Sequence, residues 1–288
     1  MPAAEVAIDD GLVRGLLAAQ HPDLADLPLR AVGSGWDNAI FRLGDDLAVR
    51  LPRRAMAADL VRHELRWLPL LARLLPLPVP VPLRAGVATS AYPFDWSVCA
   101  WIDGVSALVT PPDDLHAAAH ALGAFLAAMH QPAPADAPFN PYRGIPLAGR
   151  VEAMGVNLAR LGAMVDSDAV RAAFADALAV PPWSPAPVWL HGDVHPGNLL
   201  VRDGALAGVI DFGDICAGDP ASDFAVAWMM FPPAVRPVFG DAAGVDDETW
   251  ARARGWALAL GVAIMANSSD NPPYAMLGRR TLDAVLAK

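Results

Sequence analysis

Residues 190–201, LHGDVHPGNLLV, gather His191, Asp193, His195 and Asn198 into a few positions, with glycines and a proline between them. His191 and His195 have the i, i+4 spacing of a zinc-binding helix. Gly192, Pro196 and Gly197 oppose a helix at that point, which argues against a histidine metal cage. A buried turn in which His191 and Asp193 satisfy backbone groups is the plainer alternative. Downstream residues favour chemistry: Asn198 lies five positions after Asp193, and thirteen further on VIDFGD sets Asp211 after an apolar run. Phosphoryl transfer from a nucleotide needs a carboxylate to orient a hydroxyl and accept its proton, plus an amide oxygen and a second carboxylate to hold Mg2+ against the phosphates. All three groups occur here in that order, and oxygen ligands suit Mg2+.

The flanking sequence must position these groups. Short apolar runs at 188–190, 198–202 and 205–211, the last two joined by Arg202–Asp203–Gly204, predict strands that bring Asp193, Asn198 and Asp211 to one edge. Upstream, residues 12–19 read as a short helix. Apolar residues at 39, 41, 43, 47, 49 and 51 around Gly44–Asp45–Asp46 read as a β-hairpin, preceded by a turn at Gly33–Ser34–Gly35. Residues 57–75 have helical spacing that Pro69 should bend or interrupt. A proline-paced connector (76–83) leads to strands near 84–88 and 92–102. The texture then becomes helical: 113–130, capped by Asp113 or Asp114, a Pro-rich loop over 132–146, helices across 149–179, a proline cluster at 180–187, and helices from about 221. The order is a small sheet-plus-helix part, an extended connector, and a larger helical part carrying a late hairpin.

Composition bounds the function. The 288 residues are 55% hydrophobic, enough for a large core. Cys99 and Cys216 form no CxxC, so neither a disulfide framework nor a zinc ribbon is expected, and a reducing, cytoplasmic setting fits. The early acids of MPAAEVAIDDGLVRG do not suit a secretory signal. GWALALGVAIMANSS (255–269) falls short of the roughly 20 residues a membrane span needs and reads as a buried helix. A net charge of −10 disfavours nucleic acid as a partner, so no nucleic-acid or membrane partner is expected. With 31 acids against 21 bases, including Asp241, Asp246, Asp247 and Glu248, a cationic acceptor is expected to be favoured.

HGDVHPGNLLV followed by VIDFGDICAGDPASDFA closely resembles the aminoglycoside phosphotransferase family of antibiotic and small-molecule kinases. The resemblance implies an α+β, two-lobed protein-kinase-like fold, with a small β-sheet N-terminal lobe over 1–99, a hinge at 100–104 and a larger, mainly helical lobe over 105–288. It implies Mg-dependent transfer of the terminal phosphoryl group of ATP or GTP to the hydroxyl of an aminoglycoside or macrolide-type antibiotic. Related kinases of choline or sugars share the motifs, and a monomer is expected. By position, Asp193 becomes the catalytic carboxylate and Asn198 and Asp211 the metal ligands. GSGWDN, with Gly33, Ser34 and Gly35, becomes the phosphate-covering turn. LAVR puts Arg50 where the kinase pattern has lysine, a substitution arginine's fork can serve, with Glu64 as its helix partner. Lysine occurs only at position 288. Ala100, Trp101 and Ile102 would read the purine edge through main-chain groups. His195 would touch phosphate or substrate, and His191 would pack beneath Asp193. The GDPASD turn (Asp219, Asp223) would cap and anchor a helix, Asp214 before it could assist Mg2+, and Met229, Met230, Phe231 and Trp256 would be core. GWDN together with Arg50 leans toward the macrolide-type branch. A nucleotide-binding protein without catalysis is the competing reading, against which stands the presence of all three catalytic oxygens.

Overall fold

The computed structural model describes residues 3–287, and of Ser34 the backbone alone. The chain forms two compact units, one of residues 1–74, 78–103 and 209–213, the other of 75–77, 104–208 and 214–288.

The first unit is built on a five-stranded antiparallel sheet. Its strands are β1 (Leu29–Ser34), β2 (Asn38–Leu43), β3 (Leu47–Pro52), β4 (Pro82–Gly86) and β5 (Trp96–Ala100), in the order β1-β2-β3-β5-β4. The hairpin of β2 and β3 pairs Leu43 with Leu47 across the turn, where Gly44 takes φ 61°. Alternation puts Phe41, Leu43, Val49 and Leu51 into a core with Trp96 and Val98, and helix α1 (Asp10–Gln20) adds Val13, Leu16 and Leu17. The predicted turn at 33–35 is displaced: Gly33 and Ser34 end β1, bulged between Ala31 and Gly33, and the reversal falls at 35–37, where the Gly35 N–H bonds Asn38 O at 2.8 Å. Helix α2 (Ala58–Leu71) runs through Pro69, which sits in its last turn, and stops short of the predicted residue 75. Its buried face holds Val61, Leu68 and Leu71 at helical spacing with Glu64 among them, so a carboxylate lies in an apolar stripe and requires a partner.

The second unit is mainly helical. Strand β6 (Val105–Ser106) is followed by α3 (Leu115–Met129), whose N-cap Asp114 accepts from the His116 and Ala117 N–H groups. Helices α4 (Val151–Leu161) and α5 (Ser167–Leu178) precede β7 (Val188–Leu190), β8 (Leu199–Arg202), β9 (Ala205–Val209) and β10 (Cys216–Gly218). β6, β8 and β9 form one small sheet, and β7 pairs with β10, which the sequence did not announce. β9 ends at Val209, two residues before Asp211. Helices α6 (Ala221–Phe224), α7 (Val226–Met230), α8 (Arg236–Ala243), α9 (Asp247–Ala266) and α10 (Pro272–Leu286) complete the chain. α4, α5, α6 and α10 pack on α9, which is buried without a break from Gly255 to Val262. Asp246, Asp247 and Glu248 start that helix: Asp246 caps it by accepting from the Thr249 N–H at 2.7 Å, and the other two occupy its first turn, where negative charge complements the helix dipole. Among the described residues no helix is long and apolar enough to cross a membrane. Both cysteines are buried and free, and burial pushes the Cys99 thiol up to about 11.

Candidate active site

In the first unit the polar residue of α2 finds its partner on β3. Arg50 Nη1 donates to Glu64 Oε2 at 2.6 Å, and Nη2 reaches Asp211 Oδ1 at 3.4 Å. The Arg50 and Glu64 side chains are 7% and 2% exposed, whereas that of Asp211 is 54% exposed. Burial opposes the Arg50 charge, but Glu64 and Asp211 outweigh it and hold the guanidinium protonated. Burial raises the Glu64 pKa, with Arg50 opposing. Asp211 takes φ 66°, a left-handed conformation costly for a side-chain-bearing residue and characteristic of places where one group must be aimed.

The segment 100–102 belongs to the same unit. The Ala100 N–H is bonded to Val81 O at 3.2 Å and the Trp101 N–H to Asp46 O at 2.8 Å, so two of the three expected donors are engaged. The Trp101 indole bonds Asp103 and lies under the Arg42 guanidinium, 4.9 Å from the ring centroid.

The second unit holds Asp193, His195 and Asn198 together. β7 delivers the loop, and Asp223 clamps its start: Oδ2 accepts from the His191 N–H at 2.9 Å and Oδ1 from the Gly192 N–H at 3.0 Å, while His130 Nε2 lies 3.1 Å from Oδ2. Asp223, read from sequence as part of a helix-capping turn, thus anchors the loop instead; it is Asp219 that accepts from the Ala221 N–H, and the Arg252 guanidinium holds Asp219 in turn. Gly192 turns the chain with φ 84°, and a Cβ there would lie 2.3 Å from Asp214 O. His191 is fully buried, and its Nδ1 accepts from the Asp193 N–H at 3.1 Å.

Both oxygens of the Asp193 carboxylate are engaged, and the side chain remains 29% exposed. Oδ1 accepts from Arg143 Nη2 at 2.9 Å, and Oδ2 faces His195 Nε2 and Asn198 Nδ2, each at 3.3 Å. His195 Nδ1 accepts from the Gly197 N–H at 2.9 Å, which leaves the ring proton on Nε2, toward Asp193. Burial would raise the Asp193 pKa, but His195 and Arg143 outweigh it and hold the carboxyl well below the usual carboxylate range. The Asn198 amide also donates to the Asp193 carbonyl at 2.9 Å, so Oδ1 is the atom it has left to offer a cation. An amide oxygen such as that of Asn198 in the second unit, and a half-exposed carboxylate such as that of Asp211 in the first, are each hard donors of the kind Mg2+ takes. With the Nδ1 atoms of both His191 and His195 committed to backbone N–H groups, a zinc cage of these two histidines is not built here. Among the described residues no cluster of three or more His, Cys, Asp or Glu is placed to hold a metal.

Three contributions escaped the sequence reading: the loop-anchoring role of Asp223, and the residues Arg143 and Asn140. The last two come from the Pro-rich loop 132–146. Asn140 Nδ2 donates to Asp214 Oδ1 at 2.7 Å, and its Oδ1 accepts from the Tyr142 N–H at 2.8 Å. Gly144 takes φ 64° in a niche where a Cβ would meet Leu190 at 2.5 Å, and its carbonyl accepts from the Asp219 N–H at 2.8 Å. The one signal available was a lone arginine followed by glycine in a stretch whose other charged residue is Asp136.

Comparison with known proteins gives the family and the fold. A family model described as "Phosphotransferase enzyme family" matches residues 28–256. No curated protein sequence matches the chain. Among solved structures, the GDP complex of wild-type aminoglycoside 2'-phosphotransferase-IIIa superposes with a TM-score of 0.72 at 17% identity, covering 96% of this chain and 99% of that one. The streptomycin–ATP ternary complex of APH(2")-IIa gives 0.62 at 17%, covering 98% and 99%. Macrolide 2'-phosphotransferase MphH from Brachybacterium faecium, as apoenzyme, gives 0.60 at 22%, covering 96% and 98%. The fold is thus the α+β, kinase-like one of these phosphotransferases. Because the family model spans most of the chain, from the first strand of the sheet to the middle of α9, this protein belongs to the phosphotransferase enzyme family.

Proposed function

We propose that the chain moves the terminal phosphoryl group of ATP or GTP to a hydroxyl of a small molecule. The observation that carries this reading is the Asp193 carboxylate, kept ionised and fixed in orientation by His195, Asn198 and Arg143. A carboxylate so held is a poor proton sink in the ground state and a good orienting acceptor: it aligns the hydroxyl and takes its proton late, as the bond to phosphorus forms. Arg50, steadied by Glu64, clamps the nonreacting phosphates, while the Gly33–Ser34–Gly35 segment covers them. Ile102, with Ala100 and Trp101 forming the wall, meets the base. His195 supports Asp193 and contacts phosphate or acceptor. Asn198 and Asp211 hold Mg2+, which when bound supplies charge neutralisation at the phosphates. In this reading residues 1–99 bind nucleotide, 100–104 link, and 105–288 carry the loop and the acceptor pocket.

Support comes also from the solved relatives, whose structures hold GDP, or ATP with streptomycin. Antibiotics of the aminoglycoside and macrolide classes are the first acceptors to test, followed by hydroxylated metabolites. The test is a screen of such compounds with Mg2+ and ATP or GTP, read by mass spectrometry for the gain of one phosphoryl group. Binding of neither nucleotide in the presence of Mg2+ would overturn the proposal.

A further inference from the structure

Arg150 is an anomaly in a chain of net charge −10. It ends the 3-10 turn Leu147–Arg150, is only 9% exposed, and its buried Nε has no hydrogen-bond partner. Among the described residues no carboxylate forms an ion pair with it; its guanidinium carbon lies 5.8 Å from the ring centroid of the fully buried Trp256. Buried charges are ordinarily paired, because desolvation without a counter-charge costs several kcal/mol. Here burial and the like charge of Arg143 both push the Arg150 pKa down. Arg143, seven residues earlier, spends Nη2 on Asp193 and one Nη1 hydrogen on the Tyr142 carbonyl at 3.4 Å, and likewise keeps a buried Nε without a partner. The nearby carboxylates are already engaged, Asp193 by Arg143 and His195 and Asp214 by Asn140. Asn140 and Gly144 tie the loop that carries Arg143 to Asp214 and Asp219, and Arg150 closes the 3-10 turn that follows it.

We propose that Arg143 and Arg150 form an anion-binding subsite beside Asp193, which accepts a carboxylate or comparable oxyanion carried by the phosphoryl acceptor and disfavours an ammonium next to the reacting hydroxyl. Planar guanidinium groups with unused N–H donors match oxyanions in geometry and charge. The same segment presents two exposed aromatics, Phe139 and Tyr142, 74% and 58% exposed, suited to the apolar face of a sugar ring. The acceptor class therefore departs from the cationic one that the excess of acids suggests, because the acidic run at 246–248 is occupied in starting α9. Assigning the anion to an acceptor rests on the phosphotransferase reading; the subsite itself does not.

The test is equilibrium binding to the nucleotide-free protein by saturation-transfer NMR, with three matched probes: methyl β-D-glucuronide, methyl β-D-glucoside and methyl β-D-glucosaminide. The glucuronide should bind about tenfold more tightly than the glucoside, the scale of one charge-assisted hydrogen bond, with the glucosaminide weakest. Arg150→Gln and Arg143→Gln should abolish the preference, and Arg150→Lys should keep part of it. If Arg150→Gln does not fold, Arg143→Gln, at a part-exposed position, gives the same readout. Equal affinity for the three probes, or an unchanged preference in the folded glutamine variants, overturns the subsite. In a second arm, a selective loss of ATP over ADP affinity in Arg150→Gln without any glucuronide preference would assign the anion to the nucleotide and overturn the acceptor assignment. Failure of the phosphotransferase reading would look different: no phosphoryl transfer to any acceptor while the glucuronide preference persists.

Discussion

Arg50 and Glu64 form a buried ion pair, 2.6 Å between Nη1 and Oε2, and the same guanidinium reaches Asp211 with its other arm. A β3 side chain is thereby tied both to α2 and to the segment that follows β9. Removing one partner strands the other charge in the interior. Glu64→Ala should lower unfolding free energy by about 3–5 kcal/mol in urea titrations, the scale for breaking a buried pair. Glu64→Gln, which keeps an acceptor, should lose less. Arg50→Ala should raise the nucleotide KM or lower kcat, with Glu64→Ala milder in the same direction. Unchanged constants in a folded Arg50→Ala protein would mean that another base grips the phosphates.

The depressed pKa of Asp193 fixes the sign of a pH effect. A carboxylate whose folded pKa lies below its ordinary 3.8 adds stability that is present above that pH and is lost as pH falls toward the folded value. Asp193→Asn should therefore flatten the acid side of the stability curve below about pH 4. Arg143→Gln removes one of the groups that lower this pKa, so the acid limb of kcat should move to higher pH than in the wild type. A limb that stays put would show that Arg143 does not act on Asp193 in solution.

Asp223 accepts from two successive backbone N–H groups at the root of the loop. Asp223→Ala leaves both buried donors without their acceptor and should cost about 2–6 kcal/mol of stability, at 1–3 kcal/mol for each. In whatever fraction stays folded, kcat should fall while nucleotide affinity holds, because the displaced residue is Asp193. Thermal unfolding together with nucleotide titration would separate the two effects.

Gly192→Ala meets two obstacles, a φ of 84° and the Asp214 carbonyl 2.3 Å from the new Cβ. The backbone must shift, so a loss of several kcal/mol in stability and of nearly all turnover is expected. A variant with normal turnover would show that the loop tolerates a different path.

What could be read from the sequence was whatever a short segment determines alone. The hairpin of β2 and β3 was legible through its alternation and Gly44, and the 190–201 loop through polar residues a few positions apart. Strand β10 was not, since its three residues become a strand only by pairing with β7. Arg143 meets Asp193 across 50 residues and Asp223 meets His191 across 32, distances at which no local spacing carries a signal. Pro69 misled in the other direction: at the last turn of a helix already packed through Trp67 and Leu68, one lost N–H does not break it.

The central claim is that Asp193 orients the acceptor while Asp211 serves the nucleotide and its metal. Asp193→Asn preserves shape and removes the carboxylate, and Asp211→Asn does the same at the other group. The most direct measurement is turnover and Mg-nucleotide affinity of both variants side by side with an acceptor found by the screen. For Asp193→Asn, kcat should fall by about 10²-fold or more with nucleotide affinity nearly unchanged, the scale of a general-base contribution. For Asp211→Asn, nucleotide affinity in the presence of Mg2+ and turnover should fall together. A folded Asp193→Asn protein that turns over at close to the wild-type rate would contradict the account and leave the loop a buried, hydrogen-bonded turn.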